Sequence, residues 1–267
     1  METLINKVAA VFAANGAISS DVARALAEQG AEVFLSGRNL RAVKDLADEI
    51  TSNGGKAHAF QVDATNEQEI ELFIKEVVAR KGGLHVVFNG IGLRANELQY
   101  GSPSTILPFE KFMEVIRVHL GSQFLTSRVA AKYMTECASE GTIITLTASL
   151  SRIKVPFMAG VTAACAGIEG LTRVLATEFG QAGIRVICLN PTALVGTRTI
   201  KETNALNAKT TGIPEEVFEE QLSQGYLLGR SPSTKDIGKF AAFLATEVGG
   251  LLNSHVVDAD FGAQGVI

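Results

Sequence analysis

Apolar and polar positions fall in alternating blocks along the chain. The stretch Lys7–Ala14 is apolar after its lysine, the pattern of a strand buried on both faces. Asn15-Gly16 breaks it. In Ala17–Gln29, Val22 and Leu26 recur among the small Ala23, Ala25 and Ala27. This predicts a helix packed close to a sheet and closed by Gly30. A strand is expected at Ala31–Ser36, then an amphipathic helix at Leu40–Asn53 ended by Gly54-Gly55, and a strand at Ala57–Val62 before Asp63. Asn66–Lys81 puts Ile70, Phe73, Ile74 and Val77 on one helical face and stops at Gly82-Gly83. Leu84–Phe88 reads as a strand and Phe109–Ala138 as one long helix. The residues from Ile143 to Ile187 read as strand (143–147), a helix rich in small residues (about 158–180) and a second strand, Arg185–Asn190, ending at Pro191. Thr192–Gly225 is polar and irregular, with one helix expected at about Pro214–Ser223. A helix at Asp236–Ala245 and a strand at His255–Ala259 close the pattern.

Strands alternating with helices imply right-handed crossovers and a doubly wound parallel sheet, an α/β fold in a single domain spanning 1–267. Thr192–Gly225 is too long for an ordinary connection, so it is expected to be a lid or substrate loop at the carboxyl edge of the sheet.

Composition narrows the function classes. Hydrophobic residues make up 46% and charged residues 19% of the 267 positions, ample for a buried core. The net charge of −4 argues against nucleic acid or an anionic membrane as partner. No apolar run reaches membrane-spanning length, and Met1–Asn6 is too short and polar for a signal peptide. Cys137, Cys165 and Cys188 are scattered, as expected of free thiols in a reducing, cytoplasmic setting. Four histidines without a helically spaced pair give no metal site.

Several short motifs then occur in a fixed order: Ala23-Arg24-Ala25-Leu26-Ala27 … Gly30-Ala31, Ser36-Gly37-Arg38-Asn39, Asp63-Ala64, Asn89-Gly90-Ile91-Gly92, Gly167-Ile168-Glu169-Gly170-Leu171-Thr172, Gly183-Ile184-Arg185-Val186, Asn190-Pro191 … Gly196-Thr197 and Asp260-Phe261-Gly262. Together they resemble the short-chain dehydrogenase/reductase family over essentially the whole chain. The resemblance implies a Rossmann-like fold, a nicotinamide dinucleotide and a homodimer or homotetramer. It points to Gly16, Ala17, Ile18, Arg38, Asp63, Ala64, Asn89, Gly90 and Thr197 as cofactor contacts.

The sequence departs from the family where the chemistry sits. The glycine motif Thr-Gly-x-x-x-Gly-x-Gly falls on Phe12 to Ser19, with Ala13, Ala17 and Ser19 in place of its three glycines. An altered dinucleotide turn and a tightened turn that binds nothing are the two alternatives here. Arg38 stands where a carboxylate would select the ribose 2′-hydroxyl, so a bound cofactor is expected to be NADP(H). By the same resemblance the catalytic Ser, Tyr, Lys and Asn fall on Ala148, Val161, Cys165 and His119. No Tyr-x-x-x-Lys occurs among the three tyrosines: Tyr100 precedes Ser104, Tyr133 precedes Cys137, and Tyr226 precedes Arg230. His119 and Ser149 are the candidate substitutes, and Arg94 a candidate anion contact.

Whether the chain is an enzyme is therefore open. If redox-active, it is expected to reduce an activated C=C or enoyl-type substrate, because the cofactor carries the hydride chemistry; Gly196-Thr197 also resembles the branch that reduces enoyl and dienoyl thioesters. The alternatives are a lyase, isomerase or small-molecule-binding protein on the same fold, or a non-catalytic pseudoenzyme subunit paired with an active relative.

Overall fold

The computed structural model describes residues 4–92, 94, 95, 97 and 101–263, with backbone alone at 221–223. Tyr100 and Met1 to Thr3 lie outside the described residues. Seven parallel strands form one sheet in the order β3-β2-β1-β4-β5-β6-β7. They are β1 (Val8–Phe12), β2 (Glu32–Gly37), β3 (Lys56–Gln61), β4 (Val86–Asn89), β5 (Gly141–Leu146), β6 (Ile184–Pro191) and β7 (Val256–Ala259). The strand order reverses between β1 and β4, whose register pairs Phe12 with Asn89. In an open parallel sheet that reversal leaves a crevice at the carboxyl ends of the strands, where ligands bind.

The helices α1 (Ala17–Glu28), α2 (Leu40–Ser52) and α3 (Glu67–Lys81) follow the first three strands. The helix expected at 109–138 is built as α4 (Phe109–Val115), a π-helical turn at Ile116–Leu120 and α5 (Gly121–Glu136). A π-helical turn takes one extra residue and so offsets the apolar stripe after it by one position. After β5 come a 3₁₀ turn at Ser149–Ser151 and α6 (Ala159–Phe179). The segment after β6 holds α7 (Arg198–Thr211) and α8 (Glu215–Gln224), two helices where the sequence shows one. Threonines and asparagines, weak helix formers, fill α7, and it has no apolar stripe. It is ended by Gly212 in a left-handed conformation. Then α9 (Thr234–Leu244) opens on a capping box between Ser233 and Asp236.

Side chains of β1 alternate between two cores. Ala9 and Val11 join the layer under α1, α2 and α9, including Val22, Leu26, Leu46 and Ile237. Val8, Ala10 and Phe12 join the layer under α3, α5 and α6, including Ile70, Phe73, Met134 and Leu175. Two buried faces explain why the strands read as continuous apolar runs. Among the described residues no helix is long and apolar enough to cross a membrane.

Candidate active site

The turn from β1 to α1 passes through a left-handed alanine. Ala13 has φ of +52°, a left-handed backbone that costs an alanine about 1 kcal/mol or more. The Ala14 N–H donates to the Ser36 carbonyl and the Gly16 N–H to the Ala13 carbonyl, each at 2.8 Å. Gly16 is the extended residue before α1, and Ala17 and Ile18 begin the helix with no acidic residue in the first turn. First-turn N–H groups lack helical partners, and the dipole there favours an anion.

Ser19 and Gly90 meet beneath this turn. Ser19 is 1% exposed, and its hydroxyl has no hydrogen-bond partner. A Cβ on Gly90 would overlap Ser19 Oγ and stand 2.9 Å from Phe88 Cε1. The close approach of helix to strand thus depends on Gly90 having no side chain. Asn89 is locked in place: its Nδ2 donates to Thr126 Oγ1 (2.8 Å), its Oδ1 accepts the Ile91 N–H (2.9 Å), and its carbonyl accepts Gln123 Nε2 (3.1 Å). Gln123 also donates to the Leu146 carbonyl at 3.3 Å, tying the ends of β4 and β5 together. Sequence reading missed Gln123, because a polar residue inside a helix looks like one of its solvent face.

At the end of β2, Arg38 is exposed and its guanidinium forms no ion pair among the described residues. Asp63 Oδ1 accepts from the Thr65 N–H (2.9 Å) and hydroxyl (2.7 Å), and Ala64 is buried. Thr197 precedes α7, its hydroxyl donating to the Leu194 carbonyl at 2.8 Å.

The other half of the crevice is apolar. Val161 and Cys165 on α6 are buried with Val115, Met158 and Ala164, and Ala148, Leu150, Val155, Ile116 and Leu120 pack around them. Three of the four positions singled out as catalytic by resemblance therefore share one hydrophobic cluster. Burial raises the Cys165 thiol above its usual range and pushes Cys188 up to about 12, so neither is a thiolate near neutrality. The Ser149 hydroxyl donates to the Pro191 carbonyl at 3.4 Å, and the structure does not join it to His119. Arg94 is exposed. Tyr226 is buried and its hydroxyl donates to the Ala193 carbonyl at 2.7 Å. Arg230 stacks over Phe261 at 4.3 Å.

The π-helical turn places His119 at this cluster's edge, with Cε1 3.8 Å from where a Cβ on Gly92 would stand. The ring keeps some contact with solvent but is enclosed by protein on nearly every side, and this burial pushes its pKa down to about 4. At neutral pH it is an uncharged imidazole, with one ring nitrogen protonated and the other bare.

A family model described as enoyl-(acyl carrier protein) reductase matches residues 12–264. The chain belongs to this family, a branch of the short-chain dehydrogenases/reductases. An uncharacterized oxidoreductase, YxbG, of Bacillus subtilis is 28% identical over 98% of this chain and 92% of its own length. A 3-oxoacyl-[acyl-carrier-protein] reductase, FabG, of Chlamydia muridarum is 27% identical over 97% of this chain and 98% of its own. The crystal structure of a 7α-hydroxysteroid dehydrogenase complexed with NADH and 7-oxo glycochenodeoxycholic acid superposes with a TM-score of 0.84 at 25% identity, covering 99% of this chain and 96% of that one. Family membership makes a nicotinamide dinucleotide the expected class of cofactor, and the turn before α1 fits one: unpaired first-turn N–H groups, no acidic side chain, and an unpartnered Ser19 hydroxyl behind them.

Proposed function

We propose that the chain is an NADP(H)-binding oxidoreductase with an atypical active site, which reduces an activated C=C bond of an enoyl type rather than a ketone. The observation that carries this is the apolar cluster of Ala148, Val161 and Cys165 beside an uncharged His119. A bound NADPH would supply the hydride. Gly16, Ala17 and Ile18 would hold its pyrophosphate at the α1 N-terminus, Asp63, Ala64, Asn89, Gly90 and Thr197 would line the remaining contacts, and Arg38 would pair with the 2′-phosphate. Negative charge develops on the carbonyl oxygen as an enolate forms, and the neutral His119 N–H stabilises it by hydrogen bonding. Water then protonates the α-carbon, so no tyrosine is required.

The segment 192–225 covers the substrate as a lid, and the protein assembles as a homodimer or homotetramer. A second reading, a pseudoenzyme subunit partnering an active relative, draws on the strained Ala13 and on an apolar cluster whose one ionisable group among the described residues, the Cys165 thiol, is held neutral by burial.

The test is a fluorescence titration with NADPH and NADH, followed by assays on an enone, an enoyl thioester and a ketone. Tighter NADPH binding that Arg38→Asp reverses, with enoyl reduction and no ketone reduction, is the expected result. His119→Phe should lower enoyl reduction by about 100-fold, the scale of losing one donor to a developing oxyanion. No binding at millimolar cofactor would leave the non-catalytic subunit.

A further inference from the structure

The strand β3 is one edge of the sheet and, among the described residues, pairs only with β2. The Val62 N–H, just past the strand, donates to the Gly37 carbonyl of β2 at 3.2 Å. Along an extended strand the backbone groups of successive residues point to opposite sides. Those of Lys56, His58 and Phe60 therefore face β2, and those of Ala57, Ala59 and Gln61 face outward. An unpaired row of this kind is a template for another strand unless charge, proline or a covering element guards it.

The guards are few here. Lys56 stands at the start of β3, but the middle, Ala57 to Phe60, carries no lysine, arginine or carboxylate. His58 is drawn back to Glu32 on β2 at 2.7 Å. Phe60 lies under Arg80, whose guanidinium is 5.3 Å from the ring centre. An open depression of about 350 Å³ runs along the strand, lined also by Lys44, Ala47 and Asp48 of α2. Lys44 and Asp48 are exposed and four residues apart, so they share one face of the helix. Neither forms an ion pair among the described residues. Ala47, between them, is small and buried and lets another helix come close.

A two-fold axis perpendicular to the sheet would set the β3 of a second copy antiparallel to the first. It would keep the two α2 helices on the same face and reverse their direction. Lys44 of one copy then meets Asp48 of the other, and the second pair repeats the first.

We propose that β3 is a self-association edge, on which two copies of this chain join their sheets into one. The outward N–H and carbonyl groups of Ala57, Ala59 and Gln61 form the ladder, and two reciprocal Lys44–Asp48 ion pairs fix its register. The occupant is a second copy because the positive and negative groups beside the strand are complementary to their own reverse, as an isologous contact requires. None of these residues belongs to the proposed active site, so the inference goes beyond the redox reading and does not rest on it.

The experiment is analytical ultracentrifugation of the full chain over a range of concentrations at low salt. The natural chain should associate reversibly. Ala59→Pro removes one outward N–H and leaves the bonds to β2 in place, the setting in which a strand tolerates proline. It should abolish the association with an unchanged circular dichroism spectrum. Asp48→Lys and Lys44→Asp should each weaken association about tenfold, because each sets like charges against each other at two places. An equimolar mixture of these two variants should regain the natural strength, since each face then meets its opposite. A natural chain that does not associate, or an association that Ala59→Pro leaves intact, overturns the proposal and leaves the edge to a foreign strand or to solvent. Charge variants as strong as the natural chain, or a mixture no stronger than either variant alone, overturn it too. Should the proline variant not fold, the exposed charge positions carry the test. No part of this readout depends on cofactor or substrate.

Discussion

Ala13 and His119 are single residues whose conformation and charge run against their intrinsic preferences. Ala13 holds φ of +52°, where glycine has no steric penalty. Ala13→Gly is expected to stabilise the fold by about 1 kcal/mol, relief of left-handed strain outweighing the freer unfolded chain. Urea unfolding measures this, and a loss of stability would mean that the alanine methyl packs better than its backbone is strained. His119 has a folded-state pKa of about 4, below its ordinary 6.5. Between those values the unfolded chain binds the proton and the folded chain does not. The stability that depends on neutral His119 is complete above pH 6.5 and is lost as the pH falls toward 4. At pH 5 the loss amounts to about 2 kcal/mol. Carboxylates such as Asp236, whose pKa is lowered by the Ser233 side chain and backbone, also shed stability in acid. The comparison is therefore with His119→Asn, whose urea midpoint should fall less between pH 7 and pH 5. Parallel falls in both proteins would place the titrating group elsewhere. The identity of His119 was plain in the sequence, but its neutrality was not, because burial sets it.

At the scale of elements, the approach of α1 to β4 is governed by the contact of Ser19 with Gly90. A methyl on Gly90 would meet the Ser19 hydroxyl and the Phe88 ring, an overpacking worth about 1–3 kcal/mol. Gly90→Ala should therefore destabilise strongly in the natural chain and less in a Ser19→Gly background, a coupling of about 1 kcal/mol in a double-mutant cycle. Strict additivity would show that Phe88, not Ser19, takes the clash. The motif Asn89-Gly90 was readable from sequence; that Gly90 makes room for Ser19 appears only when strand and helix are brought together. The helix α7 was missed for a related reason. Its Thr and Asn residues favour turns, and it is held by contacts from outside it, such as Thr210 to Gly101. Gly101→Ala, forced into a left-handed backbone against Leu206, should loosen α7 and speed proteolysis within 192–225. Unchanged cleavage would show that α7 is held by other contacts.

For the molecule as a whole, the carboxyl edge joins a dinucleotide-shaped turn to an apolar cluster with one neutral imidazole. NADPH at a hundred times its dissociation constant should add about 2.7 kcal/mol of stability, a rise of roughly 5–10 °C in melting temperature for a chain of this size. No shift at millimolar NADPH would mean that the turn before α1 is closed to it. The sequence by itself determined the alternation of strands and helices and hence the parallel sheet, because elements buried between two layers must be continuously apolar and the crossovers have one hand. It also determined which residue types stand at Ala148, Val161, Cys165 and Arg38. The tertiary structure decided what those residues do together. It gathered Ala148, Val161 and Cys165 into one apolar cluster, turned the Ser149 hydroxyl to Pro191, and buried His119 until it lost its charge. Each of these depends on contacts between residues far apart in the chain, and local pattern carries no record of a contact whose partner lies on another element.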